Sequence, residues 1–492
     1  MALFINEYSK YIILILFLVY LAGCFVQKHS TDIMQKIIIY VIHFWGFLCL
    51  LLKNLNIQLI GFYLLQLVLI GAIMIGYHFV YKNCNSQLTN HICMFFVLSM
   101  IVLTRINFSE AFRQYVFWVI GFCGLMVFPL FFKRGVVFRK YPAIYAMLGI
   151  LLLALVVLVG STSYGAKLNL NIGPVSFQPS EFVKVVFILF IASMLYQNAG
   201  FKRVILTSIL SAVFVLCLVA SRDLGGALLY FTTYLMMVYV ATGKKGYLWV
   251  GSLGIVAASI VGYFAFSHVR TRVFAWLTPL ADFDKKGYQI CQSLFGIGTG
   301  GWFGFGIGEG QPGLIPIVEK DFVFSAIAEE FGVIFGIGLI FLTGATFWTM
   351  ISIGEKCEDR FYKHVCVGLG AMYATQVILT IGGAIKFIPS TGVTLPLVSY
   401  GGSSLLASLI MFGVTQCISM KAKCSETENT VVEMPPEKEV LSLNPSKKPQ
   451  NVYLVIKYIF LAIFVAMIIY LLYFMIFESP IYIYSEYNKL LR

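Results

Sequence analysis

The sequence predicts an all-α polytopic membrane protein with about fourteen transmembrane helices, and three observations carry that prediction. Of 492 residues, 60% are hydrophobic and only 12% charged, and the mean hydropathy is +0.88, too apolar for a soluble globular chain. Apolar stretches near the roughly 20 residues a spanning helix needs recur from end to end. Basic residues gather in alternate loops between them, the pattern that orientation in a membrane produces.

In order, the predicted spans cover 9–26, 36–52, 57–80, 91–104, 115–132, 142–161, 182–197, 203–220, 224–241, 247–267, 322–350, 365–383, 402–420 and 453–477. The first has no small-residue cleavage site after it and further spans follow at once, so it reads as a retained helix. An excess of 35 Lys and Arg over 22 Asp and Glu, +13 net, would suggest nucleic acid in a soluble chain. Here the charge sits at Lys133, Arg134, Arg139 and Lys140, Lys202 and Arg203, Lys244 and Lys245, Lys356, Arg360 and Lys363, and Lys421 and Lys423. The positive-inside rule makes those loops cytoplasmic and removes the need for a nucleic-acid partner. Both termini and the loops 162–181, 221–223, 268–321 and 384–401 then lie outside. Eleven cysteines are scattered, with only Cys291 in the longest outer loop, so neither a disulfide framework nor a CxxC metal site is suggested.

Composition divides the chain into accessory helices (1–90), a motif-bearing core (91–420), a polar cytoplasmic linker (421–452) with Pro435-Pro436, and a last helix with its tail (453–492). The outer loop 268–321 is rich in Gly, and Trp276, Tyr288, Phe295, Trp302, Phe303 and Phe305 favour packing over disorder. It is expected to be re-entrant and partly ordered.

Four segments hold the candidate chemistry. In residues 173–184, Glu181 and Lys184 are three apart at the start of a span and share a helix face. Ser180 is a candidate N-cap, and a capped helix with a local ion pair accounts for the spacing equally well. Ser221-Arg222-Asp223-Leu-Gly-Gly-Ala places two charges between long apolar runs, where charge serves function or pairs with another charge, or forms a plain interfacial turn. Glu319-Lys320-Asp321 opens onto a span holding Glu329 and Glu330 deeper in, and Arg270, Arg272, Lys184 and Arg222 are candidate partners. A structural ion network is the alternative for the two glutamates. In residues 389–404, Pro-Ser-Thr-Gly-Val-Thr-Leu-Pro-Leu-Val-Ser-Tyr-Gly-Gly-Ser-Ser, Ser399, Gly401, Gly402 and Ser403 suit an anion cradle at a helix start, though Ser and Gly also serve helix packing. Gly296-Ile-Gly298-Thr-Gly-Gly301 matches a dinucleotide fingerprint, but no βαβ pattern surrounds it.

In this order and at these positions, QPSEFVK, DLGGA, GYQICQS with GIGTGGWFGFGIG, DFVFSAIAEEFG and PSTGVTLPLVSYGGSS resemble the FtsW/RodA/SpoVE (SEDS) family of bacterial shape, elongation, division and sporulation proteins. The resemblance spans about 91–420 and implies a ten-helix, GT-C-like core with a long extracytoplasmic loop, in the bacterial cytoplasmic membrane. It implies an inverting glycosyltransferase that polymerises lipid II at the outer face, beside a class B penicillin-binding protein. No nucleotide cofactor is implied; a divalent cation, Mg or Mn, is allowed. The family's key acid falls on Asp321, the expected general base. Glu181, Lys184 and Asp223 fall on its other charged motifs. Lys184, Arg270, Arg272 and the 399–404 turn are candidates to hold pyrophosphate. This chain departs from the family at Gly165-Ala166-Lys167-Leu168-Asn169, where an Arg and a Trp are lost, at Glu319-Lys320, at Thr380 and at Lys386, where the family prefers Gly. Two other classes compete: a flippase for lipid II, and a non-catalytic scaffold for the penicillin-binding protein. Charge concentrated at the outer end favours chemistry there.

Overall fold

The computed structural model describes residues 2–26, 29–53, 56–81, 84–132, 137–163, 166–172, 175–431 and 449–479. Three leading helices, α1 (Ala2–Gly23), α2 (His29–Lys53) and α3 (Ile57–Val80), precede α4 (Ser86–Ile106), α5 (Phe108–Phe132), the single turn α6 (Val137–Lys140) and α7 (Pro142–Val159). A three-stranded antiparallel sheet follows: β1 (Ser161–Ser163), β2 (Ala166–Ile172) and β3 (Val175–Phe177), in that spatial order. Next come α8 (Pro179–Leu195), α9 (Phe201–Ala220), α10 (Leu224–Thr242), α11 (Lys245–Ala265), α12 (Ser267–Leu277) and α13 (Tyr288–Gly300). The chain continues through α14 (Val323–Phe331), α15 (Val333–Lys356), α16 (Arg360–Ala384), α17 (Gly402–Val431) and α18 (Pro449–Tyr473).

Among the described residues, twelve helices are long and apolar enough to cross a membrane. The predicted stretches 9–26 and 182–197 fall on α1 and α8, of 22 and 17 residues, outside that twelve. Burial sorts the spans: 94% of the apolar stretch of α4 and of α16 is buried, against 6% of α11. Gly368, Gly370, Ala371 and Ala374 are buried along α16, small residues of the kind that let membrane helices approach closely without hydrophobic driving force from lipid. The leading helices pack on the core, with Phe17 stacked on Phe335 at 4.2 Å between ring centroids. α18 packs on α15, where the buried Lys457 pairs with Glu355 at 2.5 Å and with Ser352 at 3.0 Å.

Local structure departs from the sequence expectation in four places. The loop 162–181 holds the β-sheet, tied to the neighbouring turn by Lys167 N–H donating to Ser221 O at 2.9 Å. The expected span 322–350 is two helices, α14 and α15, broken at Gly332. There φ is 91° and ψ 161°, a region that only glycine occupies readily. The break is sealed by the preceding loop: Val333 N–H reaches Gly301 O at 3.0 Å and Ile334 N–H reaches Trp302 O at 3.2 Å, while Phe305 and Gly306 donate to Glu329 O and Glu330 O. Non-helical backbone in lipid persists only when protein satisfies it in this way. Third, Gln178, not Ser180, is the N-cap of α8, because Pro179 already occupies the first helical turn. Fourth, the partner of Glu330 is Arg105 of α4, at 2.9 Å, and not one of the four cations proposed from sequence. Arg105 also donates to Gly310 O at 2.9 Å, and Glu329 accepts from Gln311 N–H at 2.6 Å. These glutamates therefore hold the loop before Asp321. Residues 432–448 of the expected linker, the tail 480–492, Lys133, Arg134 and Gly165 lie outside the described residues.

Gly332→Ala should destabilise the protein by about 1–3 kcal/mol through backbone strain alone, more if the Trp302–Gly304 backbone cannot withdraw. Thermal unfolding in detergent checks this.

Candidate active site

A cavity of 730 Å³ lies where α5, the β-sheet, the starts of α8, α10 and α17, the helix α12 and the segments 317–321 and 391–394 converge. Asp321, Glu181, Lys184, Asp223, Arg272, Gly401, Gly402 and Ser403 line it, together with Arg113, Gln178, Arg222, Tyr230 and Lys320. The structure does not bring Arg270 or Ser399 to the cavity. Arg270 sits on the exposed side of α12, two residues from Arg272, and residues two apart on a helix do not face the same way. Ser399 is buried behind the wall, its hydroxyl donating to Lys320 O at 2.5 Å and accepting from Leu395 N–H at 3.0 Å.

Asp321 stands on a tight turn rather than on a helix. Ile317 adopts a left-handed φ of 57°, and its carbonyl accepts from both Lys320 N–H (3.1 Å) and Asp321 N–H (3.2 Å). Tyr400 N–H donates to Glu319 O at 2.8 Å, so the 389–404 segment and this turn are held as one piece. Opposite lies Arg272, with Gly392 between. A methyl built on Gly392, whose φ is 73°, would come within 3.3 Å of Arg272 Nη2 and 3.7 Å of Asp321 Oδ2. Glycine thus gives the cation and the carboxylate a clear approach. Burial pushes the Asp321 carboxyl up to about 6; Arg272 and Lys320 pull against that rise, and Glu319 adds to it.

Glu181 and Lys184 form a buried ion pair at 2.7 Å on the first turn of α8. Lys184 also donates to Gln376 Oε1 at 3.0 Å, and Gln376 passes the link on to Thr394 O at 3.0 Å. Thr394 in turn donates to Ser404 Oγ at 2.8 Å. Gln178 N–H donates to Ser403 Oγ at 3.1 Å, which fixes the start of α8 against that of α17. Asp223 caps α10 by accepting from Gly226 N–H at 2.8 Å. Burial raises its carboxyl above the usual range, which the same hydrogen bond partly opposes. Arg222 precedes it with a left-handed φ of 63°, turning its side chain to the cavity. Among the described residues no group of three or more His, Cys, Asp or Glu could hold a metal ion. The donor set does not fit a cation cage built by protein alone.

Sequence reasoning missed Gln376 and Gln114. Gln114 donates to Ser399 O at 3.0 Å and accepts from Gly401 N–H at 3.2 Å, steadying the turn before α17. For Gln376 the available signal was an amide inside an apolar span, which in lipid needs an internal partner; Gln114 stands just before the predicted span 115–132 and carried no such signal.

A family model described as "Cell cycle protein", FtsW/RodA/SpoVE, matches residues 83–424. The chain belongs to that family. It is 34% identical over 330 residues to peptidoglycan glycosyltransferase RodA of Mycobacterium tuberculosis, covering 63% of this chain and 70% of the relative. To stage V sporulation protein E of Bacillus subtilis it is 33% identical over 313 residues, covering 61% and 85%. To a probable peptidoglycan glycosyltransferase FtsW of Aliivibrio salmonicida it is 34% identical over 299 residues, covering 58% and 73%. A solved structure titled for the coordination of polymerization and crosslinking by a peptidoglycan synthase complex superposes with a TM-score of 0.60 at 26% identity, over 69% of this chain and 98% of that one. A crystal structure of a single-substitution mutant of the rod shape determining protein RodA of Thermus thermophilus gives 0.53 at 25% identity, over 68% and 97%. All the cavity-lining residues fall inside the family match, whereas α1 to α3 and α18 fall outside it.

Gln376→Leu removes an acceptor from the buried Lys184 ammonium, and hydrogen bonds to charged groups carry about 1.5–3 kcal/mol. A loss of stability of that size is expected in thermal unfolding, with Gln376→Glu less damaging than Gln376→Leu.

Proposed function

We propose that the protein polymerises glycan strands from lipid II at the outer face of the bacterial cytoplasmic membrane, with Asp321 as general base. One observation carries this reading: a half-buried carboxylate faces a guanidinium across Gly392, in a cavity that also holds a buried Glu–Lys pair. Relatives named peptidoglycan glycosyltransferases support the reaction class.

The chemistry follows from the charges. As the acceptor's hydroxyl oxygen bonds to the anomeric carbon of the donor, its proton passes to Asp321. The bond from that carbon to pyrophosphate breaks, and the electron pair leaves on the phosphate oxygen. Displacement from the opposite face inverts the carbon and yields a β-linked strand. Arg272, with Arg222 and Lys320 on the same cavity, neutralises the charge as it develops. Lys184 serves differently, since Glu181 and Gln376 already occupy it. It holds the starts of α8 and α17 in register, so the α17 N-terminus faces the departing anion. A divalent cation would depend on the substrate's own phosphate oxygens for its ligands. A class B penicillin-binding protein is the proposed partner, in keeping with the complex named for the structural relative.

A carboxyl near 6 is a stronger base than an ordinary aspartate yet still largely ionised at pH 7. The base acts when deprotonated, so the rate should be level above its pKa and fall tenfold per unit below about pH 6. Removing the positive charge in Arg272→Gln takes away an influence that lowers this pKa, so the fall should begin at higher pH.

The deciding experiment supplies labelled lipid II to the purified protein with its candidate penicillin-binding partner and measures polymer length. Asp321→Asn should cut polymerisation by about 10²–10⁴-fold, the usual contribution of a positioned base. Equal polymer from both proteins would remove Asp321 from the mechanism. No polymer from either would favour a flippase or scaffold.

A further inference from the structure

Helix α16 ends in an unusual cap. Phe387 N–H donates to Gly382 O at 2.8 Å, and Lys386, just past the C-cap Ile385, has a left-handed φ of 63°. Glycine is the default at this position of such a cap, and a side chain there persists when surrounding structure holds it. Lys386 is approached at both its carbonyl and its ammonium. Trp276 Nε1 donates to its carbonyl at 2.9 Å, and its ammonium lies 4.0 Å from the Glu478 carboxylate. Phe387 adds an edge-on ring contact with Tyr470 at 5.6 Å.

These partners belong to two different parts of the chain. Trp276 lies one helical turn beyond Arg272 on α12, whereas Glu478 and Tyr470 belong to α18 and the π-helical turn Phe474–Glu478 that ends it. The latter lie beyond the family match at 83–424. A continuous path therefore runs from the end of α18 through Lys386 to the helix that carries Arg272 up to Asp321. Attachment of α18 does not depend on this path, because Lys457 is independently buried against Glu355, Ser352 and the face of Trp348 at 4.4 Å.

We propose that the C-terminal helix is a built-in brace for the catalytic centre, with Glu478 and Lys386 as positioning residues that set Arg272 against Asp321. The inference rests on the roles assigned above to those two groups. Asp321 is faced by Arg272 from α12 and by Lys320 and Glu319 from its own turn. A displaced Arg272 therefore leaves a signature that general loosening does not: the acid limb of the rate profile moves to higher pH.

The test uses the full-length protein and labelled lipid II, comparing wild type, Glu478→Gln, Lys386→Glu and the reversed pair Lys386→Glu/Glu478→Lys. The single variants should lose about threefold to tenfold in kcat, typical of residues acting through others, with KM and melting temperature nearly unchanged and the acid limb raised. The reversed pair should recover both rate and limb. Hydrogen exchange on the same proteins should quicken across 267–277 in the single variants and stay unchanged across 449–473. Wild-type rates and limb in Glu478→Gln, or unaltered exchange over 267–277, would overturn the brace. Absence of polymer from wild type would fall on the glycosyltransferase reading, and the exchange result would still decide the brace.

Discussion

Two hydrogen bonds join the turn bearing Asp321 to the segment that opens α17: Tyr400 N–H to Glu319 O, and the Ser399 hydroxyl to Lys320 O. Both stretches are irregular backbone in a protein whose solvent is lipid, and neither has a helix of its own to satisfy its polar groups. Each becomes the other's partner. Gln114 then ties the same segment to α5, and Gln376 ties it through Thr394 to the Glu181–Lys184 pair on α8. The cavity is thus a set of mutually satisfied loops, and its geometry follows from the cost of leaving any of them unpaired.

That constraint separates the charged groups by what they are free to do. Lys184 has a carboxylate at 2.7 Å and an amide oxygen at 3.0 Å. Its charge is largely spent on structure, and its substitution would be felt at the starts of two helices. Asp321 has backbone support from Ile317, a cation across a glycine and Lys320 beside it in the chain, against the burial that opposes its charge. Burial without full pairing raises its pKa, and a carboxylate left so is suited to accept a proton. The sequence motif displays both groups alike; only their partners tell them apart.

Much of the architecture was legible because a bilayer demands long apolar helices and because charge orients their ends. The motif-bearing turns were legible for the complementary reason: polar residues at helix ends in lipid need a purpose. What escaped was whatever depends on partners distant in sequence. The break at Gly332 needs the 301–306 loop to receive it, and nothing in an apolar run from 322 to 350 announces that loop. Arg270 and Arg272 are equivalent until α12 gives them opposite faces, and Ser399 and Ser403 until one hydroxyl is bound to Lys320 O behind the wall and the other accepts from Gln178 N–H at the cavity. Glu330 chose Arg105 because α4 is buried at the centre of the bundle, a placement set by packing and not by spacing.

Among the elements outside the family match, α1, α2 and α18 each reach irregular segments that bear on the cavity. Lys10 of α1 donates to Gly304 O at 3.4 Å, and Lys53 of α2 reaches Gly308 O and pairs with Glu309 at 3.1 Å, so both grip the loop between α13 and α14. That loop is also held from inside by Arg105 and the two glutamates, and it leads directly into the Ile317–Asp321 turn. From the other end of the chain, α18 reaches Lys386 and, through Trp276, the helix of Arg272. Exposed ion pairs such as Lys53–Glu309 add little stability one by one. Their placement matters more than their strength: α1 and α2 meet the loop that leads to Asp321, and α18 meets the segment that Trp276 ties to the helix of Arg272. A cavity assembled from irregular segments gains precision from external supports on both sides, which relates the added helices to the position of Asp321 and Arg272.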